Sequence, residues 1–194
     1  VRKAFFPVGL NLDGRRCIVI GGAGDREAVE KEAALREAGA DVMRVYDPQQ
    51  LREEDLADAF FVISTPQDGA LSERLRGLAD RHRFLLCCID QPRHGFVAMA
   101  AIAKAGPVRI AISTAGLAPR VGKALRRALQ SAMDEKFARF IERLAGMRER
   151  THAAHPGLEN SRLRRGEMIE AARGFDAEVR FQYPSWFDQS DAER

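Results

Sequence analysis

The sequence predicts an α/β protein: a Rossmann-like parallel sheet, a following dimerisation segment built from a hairpin and a long helix, and a small helical C-terminal region. Three observations lead there. Short, continuously apolar runs alternate with helical patterns through the first half of the chain, the mark of a parallel sheet covered on both faces. The first of these runs ends in Gly21-Gly22-Ala23-Gly24 and opens directly into a helical pattern. Beyond Pro92 the pattern changes to an alternating run beside a tight turn and then to a long amphipathic stretch.

Taken in order, Arg16-Cys17-Ile18-Val19-Ile20 reads as the first, buried strand. Residues 27–38 are rich in helix formers and close on Gly39, a C-terminal stop signal. Residues 41–46 form the second strand, a short polar helix falls near 51–57, and residues 60–63 form the third strand. A helix over 70–81 leads to a fourth strand over 84–89, with right-handed crossovers between the strands. Residues 96–103 are apolar and alanine-rich and suit a strand or a helix. Lys104-Ala105-Gly106-Pro107 is a turn, and residues 108–113 alternate like a strand with one wet face, which suggests an antiparallel hairpin. A helix over 119–148 carries Val121, Leu125, Leu129, Met133, Phe137, Ile141 and Leu144 on one stripe, and His155-Pro156-Gly157 breaks it. Residues 161–194 hold one or two further helices and the aromatic cluster Tyr183, Trp186 and Phe187. The expected division is 1–92 for the dinucleotide-binding domain, 93–150 for the dimerisation segment and 151–194 for the helical C-terminal region.

Composition bounds the function. With 45% hydrophobic and 30% charged residues among 194, the chain is an ordinary globular one. A net charge of +3 is too balanced to imply nucleic acid as a partner. No apolar run reaches the roughly 18 residues of a membrane-spanning helix, and residues 1–6 lack the apolar core of a secretory signal, so a cytoplasmic protein without a membrane partner is expected. The three cysteines, Cys17, Cys87 and Cys88, lie in apolar runs without zinc-site spacing, which reads as buried thiols in a reducing compartment and no resident metal.

Two constellations carry chemistry. A strand, a glycine-rich turn and a helix are the parts of a dinucleotide-binding unit, in which glycines let the backbone approach a pyrophosphate at the helix N-terminus. Gly22-Ala23-Gly24 supplies two of them. The third small residue would fall at Glu27, and Ala28 takes its place if the turn carries one extra residue. Asp47 follows the second strand, where a carboxylate accepts the ribose hydroxyls of NAD and repels a 2′-phosphate; it could equally cap the segment after Pro48. Arg26 and Arg44 are cations that would suit NADP instead. Asp90 follows the fourth strand, either as a general base at the ligand crevice or as a turn residue ahead of Pro92. The second constellation, Ser113-Thr114-Ala115-Gly116, precedes a helix start bearing Arg120, Lys123, Arg126 and Arg127. Hydroxyls, amides and cations there suit a polyanionic small molecule, or else form a solvated helix face.

The sequence resembles the precorrin-2 dehydrogenase/sirohydrochlorin ferrochelatase family, the first module of siroheme synthases. Phe6-Pro7-Val8-Gly9-Leu10-Asn11-Leu12-Asp13-Gly14-Arg15-Arg16 is similar to that family's lead-in to its glycine turn, Asp47-Pro48 and Ile89-Asp90-Gln91-Pro92 fall at its spacings, and Ile110-Ala111-Ile112-Ser113-Thr114-Ala115-Gly116 with Ala118-Pro119 is the most specific match. The likeness covers about residues 5–150. It implies an NAD-dependent oxidation of the tetrapyrrole precorrin-2 to sirohydrochlorin, with insertion of ferrous iron, as a substrate, in some members. It places Asp90 at the catalytic aspartate, and Gly22, Ala23, Gly24, Asp25, Arg26, Asp47, Pro48 and Thr65 around the cofactor. Ser113, Thr114, Gly116, Arg120 and Lys123 fall on the substrate side, and the family's homodimer forms through a segment corresponding to 93–150. His94 reads as a surface histidine. Several positions depart from the family: Arg26-Glu27-Ala28-Val29-Glu30-Lys31 carries an apparent insertion, Cys87 replaces a polar residue, Pro66-Gln67 interrupts an acidic stretch, and Met99 stands where proline is common. The alternatives are a non-enzymatic NAD- or tetrapyrrole-binding protein and a stand-alone chelatase with a vestigial nucleotide site.

Overall fold

The computed structural model describes residues 5–187. Strands β1 (Arg16–Ile20), β2 (Asp41–Val45), β3 (Phe61–Ser64) and β4 (Leu85–Cys88) form one sheet in the order β2-β1-β3-β4, and every neighbouring pair is parallel. Helix α1 (Arg26–Glu37) connects β1 to β2, and α2 (Gly69–His82) connects β3 to β4. Side chains alternate across the sheet. Cys17, Val19, Phe61, Ile63 and Cys87 meet Ala28 and Leu35 of α1 on one face. Ile18, Ile20, Val62, Leu86 and Cys88 meet Leu71, Leu75 and Leu78 of α2 on the other, together with Leu51 and Leu56. Burial on both faces explains why the strands are continuously apolar rather than alternating.

The register brings the strand ends level. Ile20 pairs with Val45 and Ser64, and Ser64 with Cys88. The ladder then runs one step further: Gly21 N donates to Val45 O at 2.9 Å, Thr65 N to Ile20 O at 3.0 Å and Ile89 N to Ser64 O at 2.9 Å. Gly21, Thr65 and Ile89 therefore leave the sheet together at its carboxyl edge. Strand order reverses between β1 and β3, which is the switch point where such sheets open a crevice for ligands.

After the sheet, β5 (Ala101–Ala105) and β6 (Val108–Ile112) pair as a separate two-stranded sheet about Gly106, whose φ is 51°. The ambiguous stretch 96–103 thus holds no helix and ends in β5. The single helix predicted over 119–148 is two helices, α3 (Pro119–Ala132) and α4 (Glu135–Ala154). Asp134 restarts the chain as an N-cap, its carboxylate accepting from Phe137 N at 2.8 Å. The apolar spacing continues through this break, so periodicity alone did not reveal it. The short polar helix expected near 51–57 is a pair of 3-10 turns, Pro48–Gln50 and Glu53–Leu56. Helix α5 (Ser161–Ala171) follows, and beyond it Phe187 contacts the rings of Tyr183 and Trp186, with centroids 5.3 and 5.9 Å away.

The described residues fall into two compact units. One runs to Ala103 and takes in Arg109–Ser131; the other comprises Lys104–Val108 and the chain from Ala132 onward.

The stop after α1 is a Schellman motif. Gly39 N donates to Arg36 O at 3.0 Å and Ala40 N to Leu35 O at 3.1 Å, with Gly39 at φ 84°. A Cβ there would also lie 2.9 Å from Asp13 Oδ1 and 3.3 Å from Asp13 Cα. Replacing Gly39 with alanine combines this close contact with a left-handed penalty, so it should destabilise the first unit by about 1–3 kcal/mol, read as a lowered urea midpoint at unchanged slope.

Candidate functional site

The glycine turn forms because β1 must hand over to α1 at close quarters. A Cβ on Gly21 would lie 2.4 Å from Thr65 Oγ1, 2.7 Å from Ala28 Cβ and 2.9 Å from Asp25 Oδ2, so only glycine fits. This is the close helix–strand approach that one glycine of the dinucleotide fingerprint provides; the sequence pattern put the turn and the pyrophosphate approach on Gly22 and Gly24 and the third small position on Ala28, which does pack against Gly21. Around Gly22 and Gly24 no heavy atom lies within 4 Å of an added Cβ, so their outer side is open space. The backbone N–H groups of Gly22, Ala23, Gly24 and Arg26 have no protein partner among the described residues.

Asp25 is the N-cap of α1. Its Oδ1 accepts from Glu27 N at 3.0 Å and Ala28 N at 3.2 Å, and its Oδ2 accepts from the Thr65 hydroxyl. The Thr65 hydrogen bond, ahead of the two amides and the Arg44 charge, holds the Asp25 carboxyl below its ordinary value. Arg44 braces the turn from the β2 side. Its guanidinium donates to Gly21 O at 3.0 Å and Gly22 O at 2.8 Å, pairs with Glu32 at 3.4 Å and lies over the Tyr46 ring. Only 4% of the Arg44 side chain is exposed, so this cation serves the turn and does not project toward solvent. Arg26 does project outward, beside Glu30 at 3.5 Å. Asp47 caps the 3-10 turn that begins at Pro48, its Oδ1 accepting from Gln49 N at 2.9 Å. The capping reading of Asp47 is therefore realised, with its second oxygen outside that bond.

A cavity of about 380 Å³ lies wholly within the first unit, at the carboxyl edge of β4. It gathers Asp90, Ser113, Thr114, Gly116 and Lys123, five of the predicted residues, beside Cys87 and Ile89. Arg120 is exposed and is not among the lining residues. Sequence reasoning missed two residues that α1 contributes, Glu27 and Lys31, an ion pair at 3.3 Å. Their i,i+4 spacing on one helix face was the available signal. A larger open groove of about 1000 Å³ in the second unit is bounded by residues such as Met147 and Leu163, with Glu159 and Arg162, and carries no comparable set of acid, hydroxyl and thiol groups.

The turns at this cavity are strained. Among the described residues only Arg83, Asp90 and Ala115 are left-handed without being glycine, and two of these three line the cavity. Asp90, φ 58°, sits in the turn closed by Gln91 N to Cys88 O at 3.1 Å. Ala115 and Gly116, φ 51° and 77°, form the turn closed by Leu117 N to Thr114 O at 2.9 Å, and Ser113 Oγ accepts from Ala115 N. Left-handed non-glycine residues cost about 1–3 kcal/mol each and cluster where ligands act. The exposed Asp90 carboxylate has no hydrogen bond or ion pair among the described residues. His94, expected at the surface, is buried; its Nε2 accepts from Arg93 Nε at 2.8 Å, and Arg76 donates to its carbonyl. The loop after Asp90 folds back onto β4, with Phe96 N and Val97 N both donating to Leu86 O, and this carries His94 inward.

Residues 8–101 match the family model described as "Putative NAD(P)-binding". Siroheme synthases of Nitrosococcus oceani and Xylella fastidiosa are each 28% identical, over 178 and 181 residues, covering 82% of this chain and 37% of theirs. Over most of its length the chain is thus similar to siroheme synthases. The siroheme synthase of Nitrosospira multiformis, 28% identical over 168 residues, agrees. The chain thus spans little more than a third of the length of these curated relatives. A solved structure titled "SirC, precorrin-2 dehydrogenase" has the same fold, with a TM-score of 0.69, 20% identity, and coverage of 88% of this chain and 90% of that one. Among the described residues no helix is long and apolar enough to cross a membrane, and no three potential ligands group as a metal site.

Cys87 lines the cavity, yet burial pushes its thiol up to about 11, and burial also raises Cys17 and Cys88. The thiolate is the reactive form. All three cysteines should therefore resist iodoacetamide at pH 8 in the folded protein and react promptly in denaturant, as mass spectrometry of the alkylated protein would record.

Proposed function

We propose that this chain carries out NAD-dependent dehydrogenation of precorrin-2 to sirohydrochlorin in modified-tetrapyrrole synthesis. The observation that carries the reading is the pair of left-handed turns, at Asp90 and Ala115, that face one cavity beside a dinucleotide-type glycine turn. The residues suit the cofactor. Open space over Gly22 and Gly24, unpartnered amides from Gly22 to Gly24 and at Arg26, and an Asp47 oxygen free of the cap are donors and an acceptor of the right kinds. Ala23 and Pro48 shape the two turns that bear these groups, and Thr65 holds the glycine turn against β3.

NAD, when bound, supplies the hydride acceptor. Asp90 receives the proton that leaves the substrate carbon skeleton as hydride departs, so the two hydrogens removed are both accounted for. Its exposed, unpartnered carboxylate is free to do so. Lys31 and Lys123 offer cations to the substrate's carboxylates, Arg120 extends that charge outside the cavity, and Ser113, Thr114 and the Gly116 turn offer polar contacts.

Ferrous iron would enter the same site as a second substrate, with Asp90 taking the pyrrole protons. A homodimer would cover the apolar residues of the 93–150 segment: Val121 is exposed, and Leu125, Leu129, Phe137 and Ile141 are only half-buried. Free buried thiols fit a reducing, cytoplasmic setting.

Two measurements test the reading. Asp90→Asn should still bind NAD, while NADH formation from precorrin-2 falls at least about a hundredfold; near-normal turnover would reduce Asp90 to a turn residue. Asp47 should repel a 2′-phosphate, so NAD should bind more tightly than NADP by titration, and Asp47→Asn should narrow that gap. Equal affinities in the unaltered protein would remove Asp47 from the ribose.

A further inference from the structure

We propose that Asp25 is a resident anion in the seat that a dinucleotide's pyrophosphate takes elsewhere, and that it lowers this chain's affinity for NAD. The inference rests on the NAD reading above and concerns the opposite of a contact: a group that works against the ligand. In dinucleotide-binding folds the free N–H groups in the first turn of the helix after β1 receive the pyrophosphate. Here two of them, on Glu27 and Ala28, already serve Asp25 Oδ1 at 3.0 and 3.2 Å. The other carboxylate oxygen is held by the Thr65 hydroxyl and sits 2.9 Å from where a Gly21 Cβ would be. The group is thus held by the first turn of α1 and by Thr65 just beyond β3. The amides left for a pyrophosphate are those of Gly22, Ala23, Gly24 and Arg26, on the same turn as this carboxylate.

The chain's own geometry provides a variant that removes the charge and keeps the architecture. In Asp25→Asn the amide oxygen can keep both helix N–H groups. The amide nitrogen would then face Thr65 Oγ1, and the Thr65 hydroxyl can turn to Ile20 O, which lies 3.0 Å away. Cap, turn and helix should survive, so the melting temperature should stay close to that of the unaltered protein.

The test is a titration of both proteins with NAD, ADP-ribose and adenosine at low and high salt. Removing the Asp25 charge should tighten NAD and ADP-ribose by about tenfold at low salt, and leave adenosine unchanged. The gain should shrink as salt screens the repulsion. Unchanged or weaker NAD binding by a folded Asp25→Asn protein overturns the proposal while leaving the NAD reading intact. Equal gains for adenosine overturn it as well, because a charge effect needs a charged ligand. Failure of both proteins to bind NAD overturns the NAD reading and this proposal with it.

Discussion

The architecture of the site depends on one close approach, that of the Gly21 backbone to Thr65, Ala28 and Asp25. The sheet brings β1 and β3 side by side, and their shared register sets Gly21 and Thr65 at the same edge. Because Gly21 has no side chain, Ala28 can pack down on the strand and α1 can begin immediately beyond the turn. That start determines which α1 residues reach the cavity, since Glu27 and Lys31 follow from the helical phase set at Asp25. One absent methyl group therefore links the nucleotide turn to the wall of the neighbouring cavity.

Much of this was legible in the sequence because the sheet is buried on both sides. Continuous apolar runs, the Gly39 stop and the Gly21-Gly22-Ala23-Gly24 turn each have a direct physical cause, and each appears in the fold. The break between α3 and α4 was hidden because the apolar stripe passes through Met133 without a change of phase; the capping aspartate at Asp134 was the only local sign. Asp25 was read as a cofactor residue, although an aspartate placed just before Glu27 and Ala28 is also what a helix cap looks like. The burial of His94 depends on a loop returning to β4, a contact that no local pattern encodes. Site residues were easiest to find at strand ends and hardest on the inner face of a helix.

Strain is concentrated where the chemistry is proposed. A turn that could have held glycine holds Asp90, and another holds Ala115 ahead of Gly116. At Asp90 the left-handed backbone closes a turn against β4 while the carboxylate stays exposed beside the cavity. Aspartate tolerates this conformation better than most residues, whereas alanine has no such excuse. The cost at both sites is borne by a sheet buried on both faces by two apolar layers.

Arg44 gives the glycine turn a different property. With its guanidinium bonded to Gly21 O and Gly22 O and tied to Glu32, the turn is anchored to β2 and α1 by the protein's own groups. Such a loop has little conformational entropy left to lose when a ligand arrives. Ligand recognition at this edge is then closer to lock-and-key than to folding on contact. Differences between nucleotides would register mainly as enthalpy in calorimetry, with the backbone amides as a fixed template.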